Sequence, residues 1–312
     1  MNKKKQHYVW RNYLNSWTVN DQLFCLRSGK IFSSNAEGVA VENYFYHTKE
    51  LNQDDFNLIE EFVLKPASPF HKIFHRNWLK AFNMPFRQLT SLKELGFEEE
   101  KIKKFRTWLE NNIYEELLSE YEGGWNIFLS ELQCGKMDFF SDNAERMGFL
   151  FFLAVQYMRT DRMKNAVSQS VAKTMKKDGF DLEKIWNPVS HIFAVNVAFD
   201  TYNKKPKLCM LENESFVPFI TGDQPVVNIS ATNISPGQPS DKMELYYPVT
   251  PNLAVLLTEN ETCQTDKVSV SSEEAGCYND HIFQNSHNSI YAQTKEILEQ
   301  FQSRNVKTKS QN

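Results

Sequence analysis

Apolar residues recur at three- and four-residue spacing over Asp54–Val63 and Phe70–Phe82, a period that predicts two amphipathic helices. Glu98–Tyr121 keeps that period among many charges and reads as a surface helix. Gly123-Gly124 predicts a break, after which Trp125–Leu132 resumes the pattern. Asp142, with Glu145 three residues on, makes a capping pair for a helix from Ala144 to about Lys164. Over Gly148–Val155 that helix is apolar on every side, which places it centrally in a core.

Outside this middle the pattern favours extended chain. The aromatic-rich Gln6–Trp17 precedes a hairpin in which Leu23–Leu26 and Ile31–Ser33 flank the turn residues Ser28-Gly29. A further extended piece covers Val39–Tyr46. After Asn187-Pro188, strands are predicted at His191–Phe199, Lys207–Leu211, Phe216–Ile220, Val226–Ile229, Glu244–Val249 and Ala254–Thr258, with a loop over Asn233–Asp241. Ser271 and Glu274 form a capping box opening a helix to about Ser286. The extended Ser289–Gln293 and a helix from Lys295 follow. Strands that come in runs predict an α+β fold: a mainly helical middle packed on a mostly antiparallel sheet built from N- and C-terminal strands. The expected organisation is a flexible basic arm over 1–5, one domain over 6–303 and a disordered tail over 304–312.

Composition sharpens this picture. The 312 residues include 24 Phe, 12 Tyr and 6 Trp, enough aromatic volume for a substantial core, and 11 Gly and 11 Pro, few enough to favour long helices. A net charge of −4 argues against strong duplex-DNA binding, which draws its affinity from a basic excess. The five cysteines form no CxxC pair and read as reduced thiols. The basic start lacks the apolar stretch of a signal peptide, and no apolar run is long enough to span a bilayer. A cytoplasmic location without membrane association is the expectation.

Common chemical signatures are absent: the SGK at 28–30 lacks the upstream glycine of a phosphate-binding loop, and there is no GxGxxG, GxSxG or HExxH. His71 and His75, four apart on a predicted helix, have metal-ligand spacing without a third ligand, so neither a metal nor a cofactor is assigned. Four patterns remain. His7-Tyr8 offers an imidazole for proton transfer, or merely a solvated histidine near the chain start. Gln156-Tyr157-x-Arg159 puts Gln156 and Arg159 on one helix face, and the arginine requires a structural acceptor or a bound anion. Thr221-Gly222-Asp223-Gln224-Pro225 is either a tight turn or a device presenting Asp223 as a base or as a partner for Arg159. Glu122, at a predicted helix break, and Asn279 are weaker candidates.

These segments in this order resemble a bacterial family of domains of unknown function, numbered 4238. The resemblance runs through QHYVWRNYL, ENYFY, Glu122, LAVQYMRT, FITGDQPVV, YYPVTPN and the Asn279 segment with SIYAQ, over about residues 6–293. Two positions depart from the family's habit: Trp10 where proline is usual, which should loosen that turn, and Gly222 where serine is common, which removes a hydroxyl. The resemblance implies one α+β domain and a polar site but brings no established activity. The leading expectation is an enzyme acting on a phosphate-bearing substrate, RNA or a nucleotide, as a phosphoesterase or nuclease in a stress or anti-phage role. In it His7, Tyr8, Arg159, Asp223 and Glu122 act catalytically, with Gln156, Tyr157, Thr221 and Asn279 binding substrate. The alternative is a non-catalytic sensor that binds an anion or a partner through the same residues.

Overall fold

A computed structural model of the protein describes residues 3–174, 182–231, 242–259 and 266–309. In chain order its elements are β1 (Lys5–His7), α1 (Arg11–Leu14), β2 (Leu23–Arg27), β3 (Lys30–Ser34), β4 (Val41–Asn43), α2 (Gln53–Ile59), α3 (Pro69–Glu94), α4 (Glu99–Gln133), α5 (Asn143–Met158) and α6 (Asp161–Thr174). They continue with α7 (Leu182–Asn203), β5 (Lys207–Glu212), β6 (Thr221–Gly222), β7 (Val227–Asn228), β8 (Leu245–Thr250), β9 (Leu253–Thr258), β10 (Lys267–Ser269), α8 (Ser272–Asn285), β11 (Ser289–Ala292) and α9 (Lys295–Lys309). The fold is α+β. The loop expected at Asn233–Asp241 lies outside the described residues, as do Cys263 and the last three residues of the expected tail.

The chain divides into two compact units. The first comprises Met1–Gln6, Glu42–Tyr121 and Lys176–Phe193. Its core includes Phe86, Leu89 and Leu109, where α3 meets the first half of α4. Buried amides set its loops: Asn83 holds both backbone groups of Leu51, and Asn187 Nδ2 donates to the Tyr46 carbonyl and the Thr48 hydroxyl.

The second unit comprises His7–Val41, Glu122–Met175 and Ala194–Asn312 and holds two sheets. One has the order β10-β5-β9-β8-β7 and is antiparallel except where β10 runs parallel to β5. The other, β3-β2-β11-β6, joins the N-terminal hairpin to C-terminal strands, with Cys25 opposite Tyr291 and Gly222 opposite Ile290. Ser28 and Gly29 take φ of 50° and 76°, the two positive values that a two-residue hairpin turn with the twist of its strands demands. α8 and α9 contribute Ala275, Ile282, Leu298 and Phe301 to the core of these sheets. The all-round apolar stretch of α5 is buried as expected, with Phe149 and Phe152 inside a cluster that includes Trp125 and Phe139.

Five expectations need correction. α4 continues through Gly123-Gly124: the pair costs roughly 1 kcal/mol per glycine, but buried Tyr114 and Leu118 before it and Trp125, Leu129 and Leu132 after it hold the helix. The helix expected over Ala144–Lys164 ends at Met158, and a new one starts at Asp161. His191–Phe199 belongs to α7; buried on most sides, this β-branched run has no helical period to read. Phe216–Ile220 forms no strand, because Pro218 lacks a donor and the N–H groups of Phe219 and Ile220 bond the Pro251 carbonyl and the Asn279 side chain. Finally, Cys209 is disulfide-bonded, whereas Cys25, Cys134 and Cys277 are free thiols; widely scattered cysteines carry no pairing signal in sequence.

Candidate functional site

The site lies in the second unit, where α5 ends. Arg159 is the C-cap of α5, its N–H still bonded to the Val155 carbonyl, and its side chain is 1% exposed. A guanidinium cannot shed its charge, so burial obliges it to find acceptors. Nε donates to the Tyr8 carbonyl at 3.2 Å and Nη1 to Glu122 Oε1 at 2.6 Å. The carboxylate paired with Arg159 is therefore Glu122, with a side chain 20% exposed, and not Asp223. One turn earlier on α5, Gln156 is also buried, and its Nε2 finds no acceptor among the described residues. Tyr247 lies close enough to feel both Arg159 and Glu122, and it stacks on Tyr13 with ring centroids 5.0 Å apart.

His7 and Tyr8 reach this centre from the N-terminal segment. The Tyr8 N–H donates to the Ala40 carbonyl at 3.0 Å, which fixes the backbone that presents its own carbonyl to Arg159. Burial lowers the His7 pKa, and the positive charges of Arg11 and Arg159 add to that against the carbonyls of Glu37 and Ala36, which bond the ring. The ring is thus neutral at pH 7 and can accept a proton. Trp10 adopts φ −55°, a value proline would share, and its ring packs edge-on against Phe152; the turn is kept rather than loosened.

The remaining candidates hold backbone. Asp223 Oδ1 accepts from the His287 N–H at 2.7 Å, and Oδ2 accepts from Asn288 and Ser289 at 2.6 and 2.9 Å. Burial raises its pKa, although these three donors oppose that shift. Asn279 accepts from the Ile220 N–H and donates to the Pro218 carbonyl, both at 2.9 Å. Thr221 Oγ1 lies 2.6 Å from the Tyr13 hydroxyl, whose own proton goes to the Pro248 carbonyl. Tyr157 is half-buried; burial raises its hydroxyl pKa, and its carbonyl accepts from Gln224. Gln224 and Thr160 are the residues that sequence reasoning missed. Gln224 Nε2 reaches the Tyr157 and Val226 carbonyls while its Oε1 accepts from the Thr160 hydroxyl, tying the end of α5 to the Asp223 turn.

Gly222 is explained by close approach. A Cβ there would stand 2.0 Å from Ser286 Oγ and 3.2 Å from both Ser286 Cβ and the Ser289 carbonyl oxygen. The Ser286 hydroxyl thus fills the space that a larger residue 222 would take, and it donates to the Ile282 carbonyl at 2.8 Å. Gly222→Ser is expected to cost about 1–3 kcal/mol through overpacking. Adding Ser286→Gly should recover part of that loss, because only the Ser289 carbonyl then remains tight. Urea unfolding of the single and double variants checks this, and equal stability of Gly222→Ser and the parent would refute it.

His71 and His75 have ring centroids 5.9 Å apart on α3. Among the described residues, no group of three or more His, Cys, Asp or Glu side chains could hold a metal ion, and no helix is long and apolar enough to cross a membrane. Compared with known proteins, the chain matches the family model described as protein of unknown function (DUF4238) over residues 5–296. No curated protein and no solved structure matches it.

Proposed function

The chain belongs to the DUF4238 family of proteins of unknown function, and we propose that it is an enzyme acting on a phosphate-bearing substrate, RNA or a nucleotide. The observation that supports this most is the grouping of a buried arginine, a buried amide without an acceptor among the described residues and a neutral imidazole near pH 7. Glu122 is the more accessible member of its pair with Arg159, so an incoming phosphoryl oxygen can take its place on Nη1. Gln156 Nε2 then supplies a second donor, and charge that builds on the phosphoryl group is stabilised by groups already in position. His7 takes the proton of the attacking hydroxyl or water and, as the imidazolium so formed, gives it to the leaving oxygen, while the displaced Glu122 carboxylate serves only as an acceptor. Asp223, Asn279 and Thr221 are positioning residues in this scheme, since their polar atoms bond backbone or Tyr13.

One observation favours the non-catalytic alternative. Arg159 is already neutralised by Glu122, so an anion or a partner carboxylate exchanging with Glu122 would by itself switch the state of the pair. Expression in bacteria separates the two readings. The enzyme reading expects the parent to arrest growth with degraded RNA or a depleted nucleotide pool, and expects Arg159→Ala and His7→Gln to abolish both at matched soluble levels. His7→Gln keeps a side-chain donor for the Glu37 and Ala36 carbonyls, and the matched soluble levels keep the comparison about chemistry. Unchanged RNA and nucleotide pools with the parent would sink the catalytic reading in favour of the sensor.

A further inference from the structure

A second feature of the same unit lies apart from Arg159, and none of the residues discussed above lines it. A cleft of about 470 Å³ is formed by the turn after α4, the beginning of α5, and the starts of β5 and β10. Its volume falls within the roughly 300–1,000 Å³ typical of small-molecule sites. The charged lining is Lys136, Arg146, Lys207 and Lys267 against Asp138 and Asp266, an excess of cations on a chain whose net charge is −4.

How these cations are held matters more than their number. Arg146 donates to two neutral acceptors, the Phe140 carbonyl at 2.8 Å and the Ser141 carbonyl at 3.4 Å, and its guanidinium lies 5.4 Å from the centre of the Phe140 ring. Among the described residues its guanidinium forms no ion pair, although Asp142 is near enough to feel its charge. Lys136 and Lys207 are exposed and form no ion pair among the described residues. Lys267 pairs with Glu212 at 2.8 Å, in a geometry half open to solvent. Gly135, at φ 70°, ends α4 and puts no side chain over Lys267, whose Nζ would lie 3.6 Å from a Cβ there. The cleft also has an apolar part in Met137, Phe140 and Leu208.

We propose that this cleft binds a nucleoside di- or triphosphate. The phosphates sit among Lys136, Arg146 and Lys207, where point charges and a planar guanidinium suit phosphate oxygens. The base lies against Met137, Leu208 and the Phe140 edge. The carboxylates of Asp138 and Asp266, which would repel a bare anion, accept hydrogen bonds from ribose hydroxyls or base amino groups. That donor content is what separates a nucleotide from inorganic phosphate here.

Titration calorimetry of the full chain with ATP, GTP and inorganic triphosphate tests the assignment. A nucleotide is expected to bind with submillimolar Kd and more tightly than triphosphate. Lys136→Glu combined with Lys207→Glu should weaken it by at least about tenfold, since both lysines would face the phosphates and charge reversal turns attraction into repulsion. Both side chains are exposed, so the ligand-free melting temperature should not move. Lys101→Glu with Lys104→Glu, on a highly exposed face of α4, alters net charge equally and should leave Kd unchanged. No binding at millimolar nucleotide overturns the proposal. So does equal weakening by the two charge-reversed pairs, or triphosphate binding as tightly as ATP.

Discussion

Glu122→Ala is expected to destabilise the protein by about 3–5 kcal/mol, because it leaves a buried charge without its counter-ion. The Arg159 side chain is 1% exposed and has Glu122 Oε1 at 2.6 Å and the Tyr8 carbonyl at 3.2 Å. Once Glu122 is gone, Nη1 loses its carboxylate while the guanidinium keeps a charge that it cannot shed. Arg159→Met should cost less, since Glu122 is 20% exposed and water can solvate the stranded carboxylate. Glu122→Gln should fall between the parent and Glu122→Ala, keeping an acceptor for Nη1 but not the charge. The double variant should be much nearer to Arg159→Met than to the sum of the singles, as expected for groups in one network. Urea unfolding read by tryptophan fluorescence measures all four. A cost below about 1 kcal/mol for Glu122→Ala, the range of exposed ion pairs, would mean that Arg159 is hydrated and is no dry, oriented charge for a phosphoryl group.

This ion pair also marks where sequence reading stops. Sequence reading singled out His7, Tyr8, Glu122, Gln156 and Arg159 among its polar candidates, and an arginine leaving an apolar helix told that it needed an acceptor. It could not tell which carboxylate answers. Glu122 was assigned to a helix break that does not exist, whereas Asp223 sat in an obvious turn. The turn's actual role, holding three N–H groups 64 to 66 residues further on, depends on a strand pairing that no local pattern encodes. Local chemistry was legible where it is self-contained. Ser28-Gly29 gives its hairpin, Ser271 with Glu274 gives a capping box that forms as written, and the apolar stretch of α5 gives its burial. α7 was misread for the opposite reason. Its residues Val189, Ile192, Ala194, Val195 and Ala198 are buried around most of the helix, so periodicity vanishes and β-branching misleads. Gln224 lay inside the motif yet looked like filler, since its two long-range partners belong to another element.

A second large effect should appear as pH falls, and it originates in the first unit. His191 on α7 is stacked against Trp78, with ring centroids 3.9 Å apart and 21° between planes, and Tyr121 lies near-parallel to it at 5.9 Å. Burial among these rings, with a smaller contribution from the charge of His75, lowers its pKa to about 3 from an ordinary 6.5. The sign follows from which state takes up the proton. Between pH 6.5 and about 3 the unfolded chain protonates His191 and the folded chain does not, so stability is fully present above pH 6.5 and lost as pH falls through that window. The loss is roughly 1.4 kcal/mol per pH unit, or about 3 kcal/mol by pH 4. Burial lowers His7 and His281 as well, adding acid sensitivity of the same sign. His191→Phe keeps an aromatic ring in the stack and removes the titration. Its stability should therefore fall less steeply than the parent's on acidification, with the difference between the two shifting by about 3 kcal/mol in the variant's favour between pH 7 and pH 4. Urea unfolding across that range measures the shift. Parallel curves would mean that His191 is protonated within the folded unit near its ordinary pKa, and the expected acid sensitivity would not come from this stack.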